Sequence, residues 1–192
     1  MSKKSAKPPL IRSFDSKEEF FTYISESPQF KLKRVIEGDS VEAYRSRLNC
    51  ASKNTKKILT TFFPYLDFSV KAERFSMGNA VRVSLSGFIP EKSEQLLDFE
   101  ELKREIKQFN NFLDEFSYQK PSSQPDDSWE HKDNEINFFR EQFGECAYFT
   151  SQISKSVLTM EAIDEVNEAF LNRKVIKASL NLKSSPSLTP RF

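Results

Sequence analysis

Glycine, cysteine and histidine are scarce in this chain: 192 residues carry 4 Gly, 2 Cys and 1 His. So few glycines argue against loops that cradle phosphate with backbone amides, and no Walker-type or G-x-G-x-x-G run occurs. The single imidazole, His131, leaves only one partner for a Ser-His-Asp or Cys-His pair. It lies between Glu130 and Lys132 and reads as a solvated loop residue. Cys50 and Cys146 are far apart, without C-x-x-C or C-x-H spacing, so a zinc site lacks ligands. No metal and no cofactor is therefore expected. Two small apolar core residues in a reduced, cytoplasmic or host-intracellular setting is the simplest reading, with a disulfide left open. No window approaches the ~18 apolar residues of a membrane span, so no membrane partner is expected. Carboxylate pairs such as Asp126-Asp127 and Glu100-Glu101 are adjacent in sequence, and no spacing places them across a cleft. These absences point to a protein that is not an enzyme.

What the chain has in excess is phenylalanine, 19 residues of it. Each buried Phe removes a large apolar area from water, so this length and composition suit one globular domain with its own core. Residues 1–12 read as a disordered basic arm, because Lys3, Lys4 and Lys7 stand there without an apolar h-region. A single domain is expected over 13–183, and 184–192 reads as a flexible Ser/Pro tail.

Within the domain, Asp15 or Ser16 caps a first helix carrying Phe20, Phe21 and Ile24, which Pro28 ends. Residues 30–36 and 41–48 alternate around a Gly38-Asp39 turn signal and read as a β-hairpin. A second helix is expected over 52–66, with Pro64 near its end. A second hairpin follows. Phe68, Val70, Ala72, Val81, Val83 and Leu85 lie on one face, and Ser69, Lys71, Glu73, Arg82, Ser84 and Ser86 on the other. A long helix is expected over 92–117, striped by Phe99, Leu102, Ile106, Phe109, Leu113 and Phe116. That stripe suits packing on the chain's own sheet, or a coiled-coil partner. Residues 118–133 form a long polar loop in which Trp129 either anchors to the core or meets a partner. Residues 134–144 read as a helix, 146–151 as a possible strand, 160–172 as a helix capped by Thr159, and 175–182 as a last strand. The fold class is therefore α+β: a mainly antiparallel sheet of four or five strands, from two hairpins plus a C-terminal strand, with helices packed on one face.

Several segments resemble a known family. Lys56-Lys57-Ile58-Leu59, Phe63-Pro64, Phe68-Ser69-Val70-Lys71 and Gly78-Asn79-Ala80-Val81-Arg82-Val83-Ser84 are similar to a small domain of the large polyvalent proteins of phages and conjugative elements. That domain has a helix ending in Phe-Pro, a Phe-Ser-Val strand, a Gly turn and a Val-x-Val strand. Phe143-Gly144-Glu145-Cys146-Ala147-Tyr148 is similar to its later Phe-Gly segment. The likeness spans at most residues 52–150. The family's acidic, Gly-rich region after the second strand is replaced here by the long helix. The resemblance implies a virus or mobile element, with delivery into a host cell, and carries over no catalytic residue.

The near-neutral net charge of +1 hides a strong asymmetry. Residues 1–90 hold 16 Lys and Arg against 9 Asp and Glu, net +7; residues 91–170 hold 8 against 19, net −11; residues 171–192 hold 5 against 0, net +5. One basic and one acidic surface are expected. Lys31, Lys33, Arg45, Arg47, Lys71 and Arg82 fall on the expected strands, with Lys56 and Lys57 on the helix between. Tyr44 and Phe75 add stacking surfaces. Basic groups interleaved with aromatics on a sheet suit single-stranded nucleic acid, contacted by the sheet and the N-terminal arm. A solvated face paired with the molecule's own acidic helices is the plainer alternative, and no RNP-type motif is present. The acidic part offers a different class of function. Asp126, Asp127, Trp129 and Glu130, beside the acidic helix, suit a protein partner or self-association, as an assembly factor or an inhibitor of a host defence protein.

Overall fold

A computed structural model describes residues 8–38, 40–76, 78–113, 134–152 and 158–183. The elements in chain order are α1 (Lys17–Glu26), α2 (Val41–Phe62), β1 (Leu66–Phe75), β2 (Gly78–Phe88), α3 (Phe99–Leu113), α4 (Asn134–Phe143), β3 (Tyr148–Gln152) and α5 (Met160–Lys183). The class is α+β. The expected sheet of four or five mainly antiparallel strands is corrected to three strands of mixed direction among the described residues, in the order β1-β2-β3.

The first helix follows its sequence signals. Ser16 Oγ accepts the Glu19 N–H, and the Glu19 carboxylate reaches back to accept the Asp15 N–H. Phe20, Phe21 and Ile24 are buried. Ile11 and Arg12, expected within the arm over 1–12, join the fold. Residues 1–7 lie outside the described residues, but Ile11 is buried and its N–H donates to Glu105 Oε2 at 2.6 Å. Arg12 pairs with Glu101 at 2.6 Å, so this stretch belongs to the fold.

The hairpin expected at 30–48 does not form. Residues 31–37 form no regular element and join no sheet, and Val41–Leu48 opens the 22-residue helix α2. Ser40 Oγ accepts the Ala43 N–H and sets the helix start. Burial at Ala43, Leu48, Ala51, Thr55, Ile58 and Leu59 then follows a helical period. Eight residues of alternation also fit a helix, and only continuity with 52–62 decides between them. The irregular segment 31–37 is satisfied by side chains instead of a strand partner. Asn54 Oδ1 accepts the Lys33 N–H, and Asn54 Nδ2 donates to the carbonyls of Lys33 and Phe143. Ser46 Oγ accepts the Ile36 N–H, and the Gln142 carbonyl accepts that of Val35. These bonds hold a charged, exposed segment against α2 without any ladder.

The second hairpin is present as expected. β1 and β2 pair antiparallel, with Lys71 opposite Arg82 and Val70 opposite Val83. Phe68, Val81, Val83 and Leu85 are buried on one face, and Val70 is partly buried. Ala72 departs from expectation and is exposed: it lies on the edge strand β1, while its partner Val81 on the central strand is buried. β3, the strand left open at 146–151, lies parallel to β2. A parallel neighbour needs a long crossover, and α3 with α4 supplies it.

The helix expected over 92–117 begins later. Pro90–Lys92 is a 3-10 turn, and Asp98 caps α3 by accepting the Glu101 N–H at 2.7 Å. Leu102, Ile106, Phe109 and Phe112 are buried in the chain's own core. Phe116 lies outside the described residues. The expected last strand at 175–182 is also corrected: those residues continue α5. Val175 and Ile176 are 65% and 59% exposed, so no buried face selects a strand there. Helix propagation from the capped start at Thr159 adds one hydrogen bond per residue and prevails. Arg173 fixes the helix by donating to the carbonyls of Pro90, Glu91 and Ser93.

The core is a phenylalanine cluster. Phe20 contacts the rings of Phe14, Phe21, Phe62, Phe109 and Phe112 at centroid distances of 4.9–6.0 Å. α4 joins it through Phe139, 4.7 Å from Phe21. At its end Gly144 takes φ +108°, and a Cβ there would sit 2.4 Å from the backbone of Arg47 and Ala51. Only glycine lets the chain pass so close to α2.

Candidate nucleic-acid interface

The pairing of the three strands sorts their residues onto two faces. α2 packs against β1 and β2 on one of them. On that same face Ser151 of β3 donates to Asn110 of α3 at 2.8 Å. Among the described residues the other face is open. Its rows run Phe75–Gly78, Glu73–Ala80–Tyr148, Lys71–Arg82–Thr150 and Ser69–Ser84. Lys71, Arg82, Thr150, Phe75 and Tyr148 are all exposed there.

The aromatic end is built over Gly78. Phe75 and Tyr148 lie 5.9 Å apart between ring centroids, with planes 30° apart, and are 45% and 41% exposed. A Cβ on Gly78 would stand 3.3 Å from Phe75 Cε2 and 3.4 Å from Tyr148 Cε2. The missing side chain therefore lets both rings settle over the strand. Asn79 secures this end from below. Its Oδ1 accepts the Ala147 N–H at 2.8 Å, just before β3, and its Nδ2 donates to the Tyr44 hydroxyl of α2 at 3.3 Å. Next to the rings, Glu73 Oε2 lies 2.6 Å from Arg82 Nε. Lys71, opposite Arg82, has no ion pair among the described residues.

Of the basic residues singled out from the sequence, only Lys71 and Arg82 share this face. Because the second strand of the expected first hairpin is helical, Arg45, Arg47, Lys56 and Lys57 stand on α2, and Lys31 and Lys33 on the irregular segment before it. Arg47 pairs with Glu145 at 3.3 Å, which lowers its availability for phosphate. Arg45 is exposed near the hairpin tip, where its carbonyl accepts Arg74 Nη2. Phase along the sequence alone misses Tyr148. The possible strand at 146–151 puts Tyr148 and Thr150 on one face, but its pairing with β2, which brings them beside Arg82 and Phe75, is not marked in the sequence.

Other chemistry finds little support. Both thiols are free and buried. Burial pushes Cys146 up to about 12, against a small opposing effect from its bond to Val81. Burial also raises Cys50, outweighing Lys33 and Lys53. Neither is a thiolate at neutral pH, so neither is a ready nucleophile. A cavity of about 350 Å³ lies under Pro8–Ile11, between α3 and the turn before β1. Its buried carboxylate, Glu105, is already engaged by the backbone of Ile11 and Arg12. No cluster of metal-ligating side chains is found among the described residues, nor is any helix there long and apolar enough to cross a membrane. Asp126, Asp127, Trp129, Glu130 and His131 lie outside the described residues. No protein family, curated protein or solved structure matches the chain.

Proposed function

We propose that this chain is a non-enzymatic nucleic-acid-binding protein that takes single strands on the open face of its sheet. The observation that carries this is one juxtaposition: cationic Lys71 and Arg82 one row from the exposed ring of Tyr148 and two rows from that of Phe75. A single strand offers both partners such a face needs. Its phosphates meet the cations, and its unstacked bases lie on the rings, each stacked base contributing about 1–3 kcal/mol. A duplex hides its base faces and would use only the charges. The basic residues of α2 and the irregular segment before it, Lys31, Lys33, Arg45, Lys56 and Lys57, add a wider positive field that draws the strand in.

A protein-docking role for the acidic helical face draws less support. On α3, Glu100 already meets Lys103 and Glu101 already meets Arg12. The resemblance of residues 52–150 to the phage and conjugative-element domain adds a viral or mobile-element setting, acting inside the host cell.

The test is fluorescence anisotropy of labelled single-stranded and duplex DNA and RNA across a salt series. Single strands should bind more tightly than duplexes, and affinity should fall steeply with salt. Phe75→Ala and Tyr148→Ala should each weaken single-strand binding while leaving duplex binding near its original level. Equal affinity for both forms, or no effect of the aromatic variants, would reject the stacking surface.

A further inference from the structure

Resting on that reading, we infer that the open face prefers single strands carrying a guanine, read by an Arg82 that Glu73 holds in place. Arg82 and Lys71 sit opposite one another yet stand in different electrostatic surroundings. Lys71 has no carboxylate partner among the described residues, so its ammonium suits a phosphate. Glu73 Oε2 lies 2.6 Å from Arg82 Nε. This carboxylate repels a phosphate approaching Arg82 while leaving a neutral base free to approach. The contact also uses the Nε corner of the guanidinium. Both terminal nitrogens are without a hydrogen bond among the described residues and form a two-pronged donor edge.

A two-pronged donor needs two adjacent acceptors on one neutral group. Guanine presents them as N7 and O6, whereas adenine shows one acceptor and one donor along the same edge. The rings of Phe75 and Tyr148 lie one to two rows away, roughly 7 Å per row along the strands, within reach of one base or its neighbour. Stacking there orients the base plane. Arg82 then meets its edge, and Lys71 holds the backbone.

The experiment compares octamers of uracil carrying one central guanine, adenine or 7-deazaguanine, in ribose and deoxyribose (thymine) forms, with the unsubstituted octamer as reference. The wild-type chain should favour guanine over adenine by roughly tenfold. It should lose most of that margin for 7-deazaguanine, which lacks the N7 acceptor. The ribo and deoxyribo arms report which strand is preferred, and the guanine margin should appear in the tighter-binding one. Arg82→Lys keeps the charge without the fork. Measured against its own affinity for the unsubstituted octamer, its discrimination should fall below about twofold. Glu73→Gln should bind all octamers more tightly and with a smaller guanine margin, since Arg82 is then released towards phosphate. Equal binding of guanine, adenine and 7-deazaguanine octamers, or an Arg82→Lys variant with its margin intact, would overturn this inference and leave single-strand binding standing. Failure of every octamer to bind at low salt would overturn both.

Discussion

The two faces of the sheet are made by the same strands in alternation, yet they have opposite chemistry. On the covered face Phe68, Val81, Val83 and Leu85 are buried, and Phe68 reaches the helical Phe cluster through Phe63. On the open face the same strands present Lys71, Glu73, Arg82, Thr150 and two exposed rings. A period of two is enough to separate a buried apolar face from an exposed charged and aromatic one. Substitutions on the covered side should unfold the protein, and substitutions on the open side should change what it binds.

The largest effect is expected at the centre of the covered side. Phe20→Ala removes a fully buried ring with five ring contacts. It should cost about 3–5 kcal/mol in a denaturant titration. Gly144→Ala should cost about 3 kcal/mol, because a Cβ cannot fit 2.4 Å from α2 backbone and φ is +108°. Asn54→Ala should cost about 1–3 kcal/mol, since the Lys33 and Phe143 backbone groups lose their partner.

A smaller and pH-dependent effect comes from Cys146. Its folded thiol is pushed up from 9.0 to about 12 by burial, so the folded chain holds it neutral. The unfolded chain releases that proton at lower pH. This contribution to stability is therefore present below pH 9 and is lost as pH rises from 9 towards 12. Cys146→Ala should flatten that part of the melting-temperature profile. An unchanged alkaline slope would show that other groups set it. The smallest stability effects belong to the open side. Lys71→Ala and Arg82→Ala should each stay within about 0.5 kcal/mol of wild type, even as binding weakens. A large loss of stability from either would erase the distinction between the faces.

The sequence makes the second hairpin legible down to its polar face, Ala72 apart, because alternation runs through both strands and a glycine turn joins them. The first supposed hairpin shows where that signal fails. Val41–Leu48 alternates too, but Ser40 caps it and the apolar positions continue at helical spacing to Leu59. Arg45 and Arg47, placed on that strand, thus stand on a helix, and of the six basic residues expected on the sheet only Lys71 and Arg82 remain there. The third strand was harder to read, because its parallel pairing depends on contacts far along the chain. Tyr148 entered the site with it. The end of α5 was unreadable for another reason: Val175 and Ile176 are exposed, so no pattern of burial marks their structure.

The most direct test of single-strand recognition by the open face is a salt titration of single-strand affinity, comparing wild type with the Lys71→Glu/Arg82→Glu double variant. The open face as binding site predicts loss of affinity at low salt, a shallower dependence of log affinity on log salt, and an unchanged melting temperature. A folded double variant that binds single strands with wild-type affinity and slope would contradict it.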